Sequence, residues 1–134
     1  AITSELNELS TELRDLFAYT LEVVVATQLD DEPDLAANAR DLAHKVRTAQ
    51  TLCDVLVSTG AMRATAPERR ALAINVAVLA SYWLSFEYAR DPRAKAETNR
   101  LGRGVYQVMA MLSPFLVGDA KGLFDRLARE YVAP

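Results

Sequence analysis

The chain contains one cysteine and one histidine in 134 residues. Cys53 has no second cysteine with which to form an internal disulfide, which is typical of a protein from a reducing cytoplasm. His44 and Cys53 are too few ligands for a zinc site, and on a helix they lie about 13 Å apart, too far for a hydrogen-bonded nucleophile pair. The sequence therefore predicts no metal site, no cofactor and no enzyme.

Basic residues and glycine motifs are also scarce. Fifteen Lys and Arg against eighteen Asp and Glu give a net charge of −3, which argues against a nucleic-acid surface because phosphate binding needs clustered cations. The acidic cluster at 30–34 lacks the spacing of a calcium loop. Gly102 and Gly104 lack the strand and third glycine of a nucleotide-binding turn. No basic and apolar leader begins the chain, so we expect a cytoplasmic protein.

The chain does contain a run of sixteen uncharged residues, Ala71 to Phe86. A helix that is apolar on nearly every side must be covered on more than one side. Either the helix lies at the centre of a bundle, or one of its sides is covered by a second subunit. A membrane span needs about 20 apolar residues, and this shorter run includes Asn75 and Ser85. We therefore expect no membrane span.

The apolar residues recur at helical spacing throughout, and no stretch alternates as a strand would. The pattern predicts an all-α fold, a single helical domain over residues 1–134. Thr65 and Glu68 match a capping box at the start of the third predicted helix, and Gly60 is suited to ending the second. The five predicted helices cover about 4–29, 33–59, 67–89, 100–116 and 120–132.

The third predicted helix has several apolar faces. One carries Leu72, Val76, Leu79, Trp83 and Phe86, and a second carries Ile74, Val78, Tyr82 and Ser85. Another carries the small residues Ala73, Ala77 and Ala80, which let another backbone approach closely. The pattern leaves open which face meets a partner; a charge at Ala77 is expected to break a dimer and leave the helices intact. Asn75 predicts either an interhelical hydrogen bond or a contact to a ligand or subunit.

The C-terminal half carries a more specific pattern. The segment Tyr82-Trp83-Leu84-Ser85-Phe86-Glu87, followed by a polar loop and then by Gly102-Arg103-Gly104-Val105-Tyr106-Gln107-Val108-Met109-Ala110-Met111-Leu112-Ser113-Pro114-Phe115-Leu116, resembles the end of the regulatory domain of TetR-type bacterial transcriptional regulators. The acidic, proline-containing helix junction at 29–42 is similar to the corresponding segment of these regulators. The resemblance covers roughly Phe17 to Leu116.

The resemblance implies an all-helical domain of about five helices that forms a homodimer through a four-helix bundle. It also implies a cavity for a small apolar or aromatic effector. DNA would be read by an N-terminal helix-turn-helix that this chain lacks. The residues expected at the dimer interface are Ala73, Ala77, Ala80, Leu84, Val105, Met109 and Leu112. The residues expected to line the ligand pocket are Phe17, Tyr19, Val23, Cys53, Asn75, Leu79, Trp83 and Phe86.

Two other functions stay open at this point. The chain could be a stand-alone helical module that binds a small molecule or a protein and has no DNA-binding function. An enzyme is the third alternative, although no acid, base or nucleophile cluster supports it.

Overall fold

A computed structural model of the chain describes residue 8 and residues 11–16, 35–91 and 97–131. Residues 11–16 are helical, and four α-helices follow in the chain. Within the described residues no strand occurs, and the one β-bridge joins Met62 to Leu116. The all-α prediction is therefore confirmed. The helices are α1 (Leu35–Ser58), α2 (Ala66–Arg90), α3 (Glu97–Leu112) and α4 (Gly118–Glu130), with a 3₁₀ turn at Ser113–Phe115 before α4.

The ends of α1 and α2 follow from local chemistry. Gly60 has a φ of 81°, a left-handed conformation that glycine adopts without strain, and it stands just after α1. At the start of α2 the Thr65 hydroxyl accepts a hydrogen bond from the Glu68 amide at 3.3 Å, and Glu68 Oε1 accepts one from the Thr65 amide at 2.8 Å. The predicted capping box is present.

The helix predicted at 100–116 has different ends in the structure. It begins three residues earlier, at Glu97, and its α-helical part stops at Leu112. Pro114 explains the early stop, because proline has no amide hydrogen and its ring clashes with the preceding turn of an α-helix. The chain tightens there into the 3₁₀ turn. Most of the helix predicted at 4–29 lies outside the described residues.

Helices α1 and α2 pack antiparallel. Lys45 lies beside Ser81, and Asp54 beside Arg69, so residue numbers rise along one helix as they fall along the other. This register brings Ala49 and Cys53 to the level of Ala77 and Ala73. All four are buried. Small side chains at these positions allow the two backbones to approach closely.

The remaining elements close the core around this pair. The connector after α1 pairs with the connector after α3, because the Arg63 amide donates to the Phe115 carbonyl at 2.8 Å and the Val117 amide to the Ala61 carbonyl at 3.0 Å. Phe124 of α4 is fully buried. Arg14 donates to the Tyr131 hydroxyl at 2.8 Å, so residues 11–16 lie against the end of α4.

Candidate interface and effector site

The C-terminal end of α2 is fastened to the start of α3 by buried polar contacts. The Trp83 indole nitrogen donates to the Arg100 carbonyl oxygen at 2.7 Å. Arg100 in turn donates to the Asp91 carbonyl at 2.8 Å, and its guanidinium lies 3.9 Å from the centre of the Tyr88 ring. These contacts make α2 and α3 one rigid unit at this end, which we call the α2–α3 joint.

Glu87 is the anionic centre of the α2–α3 joint. The side chain is fully buried and accepts hydrogen bonds from Arg103 Nε at 2.6 Å and Arg90 Nη2 at 2.9 Å. Burial by itself would raise the pKa of this carboxyl. The hydrogen bonds from Arg103 and Arg90 outweigh burial and hold the pKa below its ordinary value of 4.5. Glu87 is therefore ionised near neutral pH.

The side of α2 that faces away from the core is apolar over most of its length. Ile74, Val78, Tyr82 and Phe86 are 41%, 50%, 58% and 53% exposed, and no exposed residue between 71 and 89 on this side is charged. Monomeric soluble proteins rarely expose a contiguous apolar surface of this kind. We call it the outer stripe; its residues are Ala71, Ile74, Asn75, Val78, Tyr82, Ser85, Phe86 and Ala89.

Charge distinguishes the outer stripe from the other helices. The exposed residues of α1 include Arg40, Arg47 and Asp54, and those of α4 include Asp125 and Arg129. By contrast, the exposed residues of α3 in the uncharged segment 104–112 are Gln107 and Ala110. Uncharged exposed surfaces are therefore found on residues 71–89 of α2, along the outer stripe, and on residues 104–112 of α3.

The residues expected at a subunit interface lie elsewhere. All seven are 0–2% exposed in the single chain, so they form no accessible surface. In the single chain the alanine face packs against α1, and a role of these residues in a subunit contact stays a prediction. The buried residues are Ala73, Ala77, Ala80, Leu84, Val105, Met109 and Leu112.

Several of the predicted pocket residues lie together in the packed core. Leu79 packs against the core cluster that contains Cys53 and Trp83, and the centres of the Trp83 and Phe86 rings are 5.3 Å apart. Cys53 and Trp83 are buried, and Leu79 is half-buried. Asn75 and Phe86 are exposed on the outer stripe, so the interhelical hydrogen bond considered for Asn75 is not made. Three further predicted residues lie outside the described part of the chain: Phe17, Tyr19 and Val23.

A buried polar group was missed by the sequence analysis. Lys45 is 1% exposed, and its ammonium donates to Asp41 Oδ2 at 2.7 Å and to the Ser81 hydroxyl at 3.2 Å. The second carboxylate oxygen of Asp41 is also buried and has no hydrogen-bond partner among the described residues. The sequence does contain a signal for this burial, because Lys45, Ala49 and Cys53 are spaced four residues apart and therefore lie on the same side of α1. We call Asp41, Lys45 and Ser81 the polar core group.

A surface groove of about 630 Å³ lies between α3 and α4. Its volume falls in the range of small-molecule sites. Ser113 and Asp125 at its edge are hydrogen-bonded to each other at 3.0 Å. None of the predicted pocket residues lines it. The lining residues are Tyr106, Met109, Ala110, Ser113, Pro114, Phe124, Asp125, Ala128 and Arg129.

Within the part of the chain that the structure describes, no three His, Cys, Asp or Glu side chains cluster so as to hold a metal ion. One described helix, α2, is long and apolar enough to cross a membrane, and 44% of its apolar window is buried inside the protein. A core helix with one exposed apolar side can be equally long and equally apolar.

Comparison with known proteins identifies a family for this chain. A family model named TetR and described as a bacterial transcriptional repressor matches residues 25–124, about three quarters of the chain. No curated protein matches the chain significantly.

Proposed function

The chain belongs to the TetR family of bacterial transcriptional repressors, and we propose that it is the domain through which such a regulator dimerises and senses a small effector. The observation that carries the proposal is the outer stripe. Four large apolar side chains on one helix are about half exposed, and no charge interrupts them. A second copy presents the same stripe, so a two-fold axis lets each cover the other.

The size of the stripe indicates that α3 contributes as well. Covering a half-exposed large apolar side chain contributes about 1 kcal/mol, so the four from each subunit give about 8 kcal/mol. Association costs roughly 4–15 kcal/mol. The uncharged outer side of α3, with Gln107 and Ala110, supplies further contact area. We therefore expect α2 and α3 of each subunit to form a four-helix interface.

Sedimentation tests the dimer directly. At micromolar concentration the chain is expected to sediment as a dimer of 14.8 kDa subunits. A monomer under these conditions would refute the dimerisation part of the proposal. In that case the stand-alone module would be the better explanation.

For the effector, we propose that the polar core group holds the polar end of the ligand. The second carboxylate oxygen of Asp41 is a buried acceptor without a hydrogen-bond partner among the described residues. A buried acceptor that lacks a hydrogen bond costs about 1–3 kcal/mol. A hydroxyl, amide or ammonium hydrogen of a ligand would satisfy it. Ala49 and Ala77, one turn from Lys45 and Ser81, are buried apolar neighbours on the same two helices. The expected effector is therefore a small apolar or aromatic molecule with a hydrogen-bond donor at one end.

Position on α2 suggests how the two sites communicate. Ser81 contacts Lys45 on the inner side, and the next residue, Tyr82, is the most exposed of the four large apolar residues of the outer stripe. A ligand that moves Ser81 therefore also moves the subunit contact. The proposed mechanism is a shift between two subunit arrangements that space the DNA-reading heads differently. Those heads belong to a helix-turn-helix outside this chain.

Native mass spectrometry of freshly purified protein tests the effector site. We expect a retained small molecule in the wild type and its loss in D41N/K45M, which removes both charges together so that neither is left buried alone. D54N/R69M is the matched control, since it removes an ion pair of the same two helices that lies nearer the surface. Equal retention in both variants would contradict this location.

A further inference from the structure

The outer stripe has a near-palindromic order. Counting outward from Ala80, the exposed residues on the two sides match in character and distance. Each matched pair has numbers that add up to 160. The pairs are Val78 with Tyr82, Asn75 with Ser85, Ile74 with Phe86, and Ala71 with Ala89.

In an antiparallel pair of helices this order places matching residues of the two subunits opposite each other. When a two-fold axis crosses the pair at the level of residue 80, a residue and its match on the partner helix lie at the same height. The stripe from Ala71 to Ala89 then forms successive layers over about 27 Å of helix. Each inner layer joins one aromatic to one aliphatic side chain. The polar residues share a layer, and alanines close both ends.

We propose that two copies of α2 pack antiparallel in this register, with Asn75 at the same height as Ser85 of the partner subunit. This inference rests on the proposed dimer and adds its direction and register. The amide of Asn75 and the hydroxyl of Ser85 can hydrogen-bond across the interface or through one water. Polar residues at single positions of helix interfaces set register in this way.

Other arrangements pack the stripe less well. A parallel pair stacks Tyr82 on its own copy and Phe86 on its own copy, so two wide aromatic layers are neighbours at one end and two narrower aliphatic layers, at Ile74 and Val78, are neighbours at the other. A slip by one turn brings Asn75 to the level of Ala89, which has no polar side chain. A buried amide without a partner costs about 1–3 kcal/mol. The proposed register avoids both costs. A slip by one turn in the other direction brings Asn75 to the level of Ser81, whose hydroxyl is bonded to Lys45 on the inner side of α2.

Cysteine cross-linking with a short bifunctional maleimide tests the register. In N75C/S85C the two sites of one chain are ten residues, or about 15 Å, apart along the helix, so a short link forms only between subunits. We expect a covalent dimer on a denaturing gel. N75C alone and S85C alone are expected to stay uncross-linked, and an equimolar mixture of the two single variants is expected to cross-link. The native Cys53 is buried and does not compete.

Each other result has a distinct meaning when sedimentation is run on the same samples. A covalent dimer from N75C alone would show a parallel pair or an antiparallel pair that crosses at residue 75, and either would overturn the inference. A sedimenting dimer without a cross-link in N75C/S85C would also overturn it and leave the proposed function standing. A monomeric wild type would overturn the proposed dimer itself.

Discussion

At the scale of single residues, Glu87 shows how a buried charge is tolerated. Its carboxylate receives two arginine hydrogen bonds, from Arg103 and Arg90, and both arginines keep part of their side chains in water. The desolvation cost therefore falls mainly on one group. Hydrogen bonds to a charged group each contribute more than neutral ones, which explains why the pKa is lowered although the side chain is buried.

We expect E87Q to lower the free energy of unfolding by about 2 kcal/mol at pH 7, because a neutral amide replaces a charge-assisted acceptor. The pKa of Glu87 is lowered in the folded state, so its contribution is complete above 4.5 and is lost as pH falls from there through the folded value. Urea unfolding followed by Trp83 fluorescence measures this. The difference between wild type and E87Q should shrink below pH 4.5.

The exposed Glu130 provides the matched control for Glu87. E130Q is expected to change the free energy of unfolding by less than about 0.5 kcal/mol, as surface substitutions usually do. A difference between wild type and E87Q that stays constant from pH 7 to pH 3 would contradict the assigned role of the Glu87 charge.

Cys53 gives a second prediction at this scale. Burial, with a smaller contribution from Asp54, raises the pKa of the Cys53 thiol to about 11. The nucleophilic thiolate is therefore scarce near neutral pH. We expect a thiol reagent at pH 7.5 to leave the folded protein unmodified and to modify one thiol per chain in urea. Rapid modification of the folded protein would show that Cys53 is accessible.

At the scale of the element, α2 has two apolar sides with different neighbours. Its inner side packs on α1 through small residues such as Ala77, which is 1% exposed. Its outer side carries Val78, the adjacent residue, which is 50% exposed. Adjacent positions on a helix point about 100° apart, so one step along the chain separates the core from the proposed interface.

A glutamate introduced at Val78 or at Ala77 distinguishes the proposed subunit interface from the core. We expect V78E to give a folded monomer, because the charge lies on a surface that stays hydrated when the subunits part. A77E is expected to lose helix content instead, because a charge inside the α1–α2 contact costs several kcal/mol. This outcome differs from the one expected from the helix pattern alone, because Ala77 is buried within the single chain. Sedimentation and circular dichroism distinguish the two outcomes.

Val55 supplies a control of the same residue type. It is 45% exposed on α1, close to the value for Val78, but α1 exposes charged residues. V55E is therefore expected to remain a dimer. Dissociation of V55E together with V78E would place α1 in the interface and contradict the assignment of the outer stripe.

At the scale of the whole molecule, α2 connects three features. It bears the outer stripe, it holds Ser81 of the polar core group, and the α2–α3 joint ties its end to α3. A rigid element shared by two sites lets a ligand at one bias the other when it binds two arrangements unequally. The proposed effector response therefore needs only a small movement of α2 relative to α1.

Dimerisation also predicts how stability depends on concentration. Association stabilises the folded state by mass action, so the Tm of an associating protein rises with concentration. We expect the wild-type Tm to rise when the concentration is increased tenfold from a few micromolar. The Tm of V78E should stay constant over the same range. Differential scanning fluorimetry provides the measurement, and a constant wild-type Tm would contradict the dimer.

The amino-acid sequence alone determined the helical class, the capping box at Thr65, the turn at Gly60 and the family, because these depend on residues close together in the chain. The tertiary structure decided which apolar side of α2 is covered. That choice depends on the register with α1, which lies outside any single helix pattern. It also decided that Lys45 is buried, since burial of a lysine depends on partners such as Ser81, 36 residues away, that come together when the chain folds.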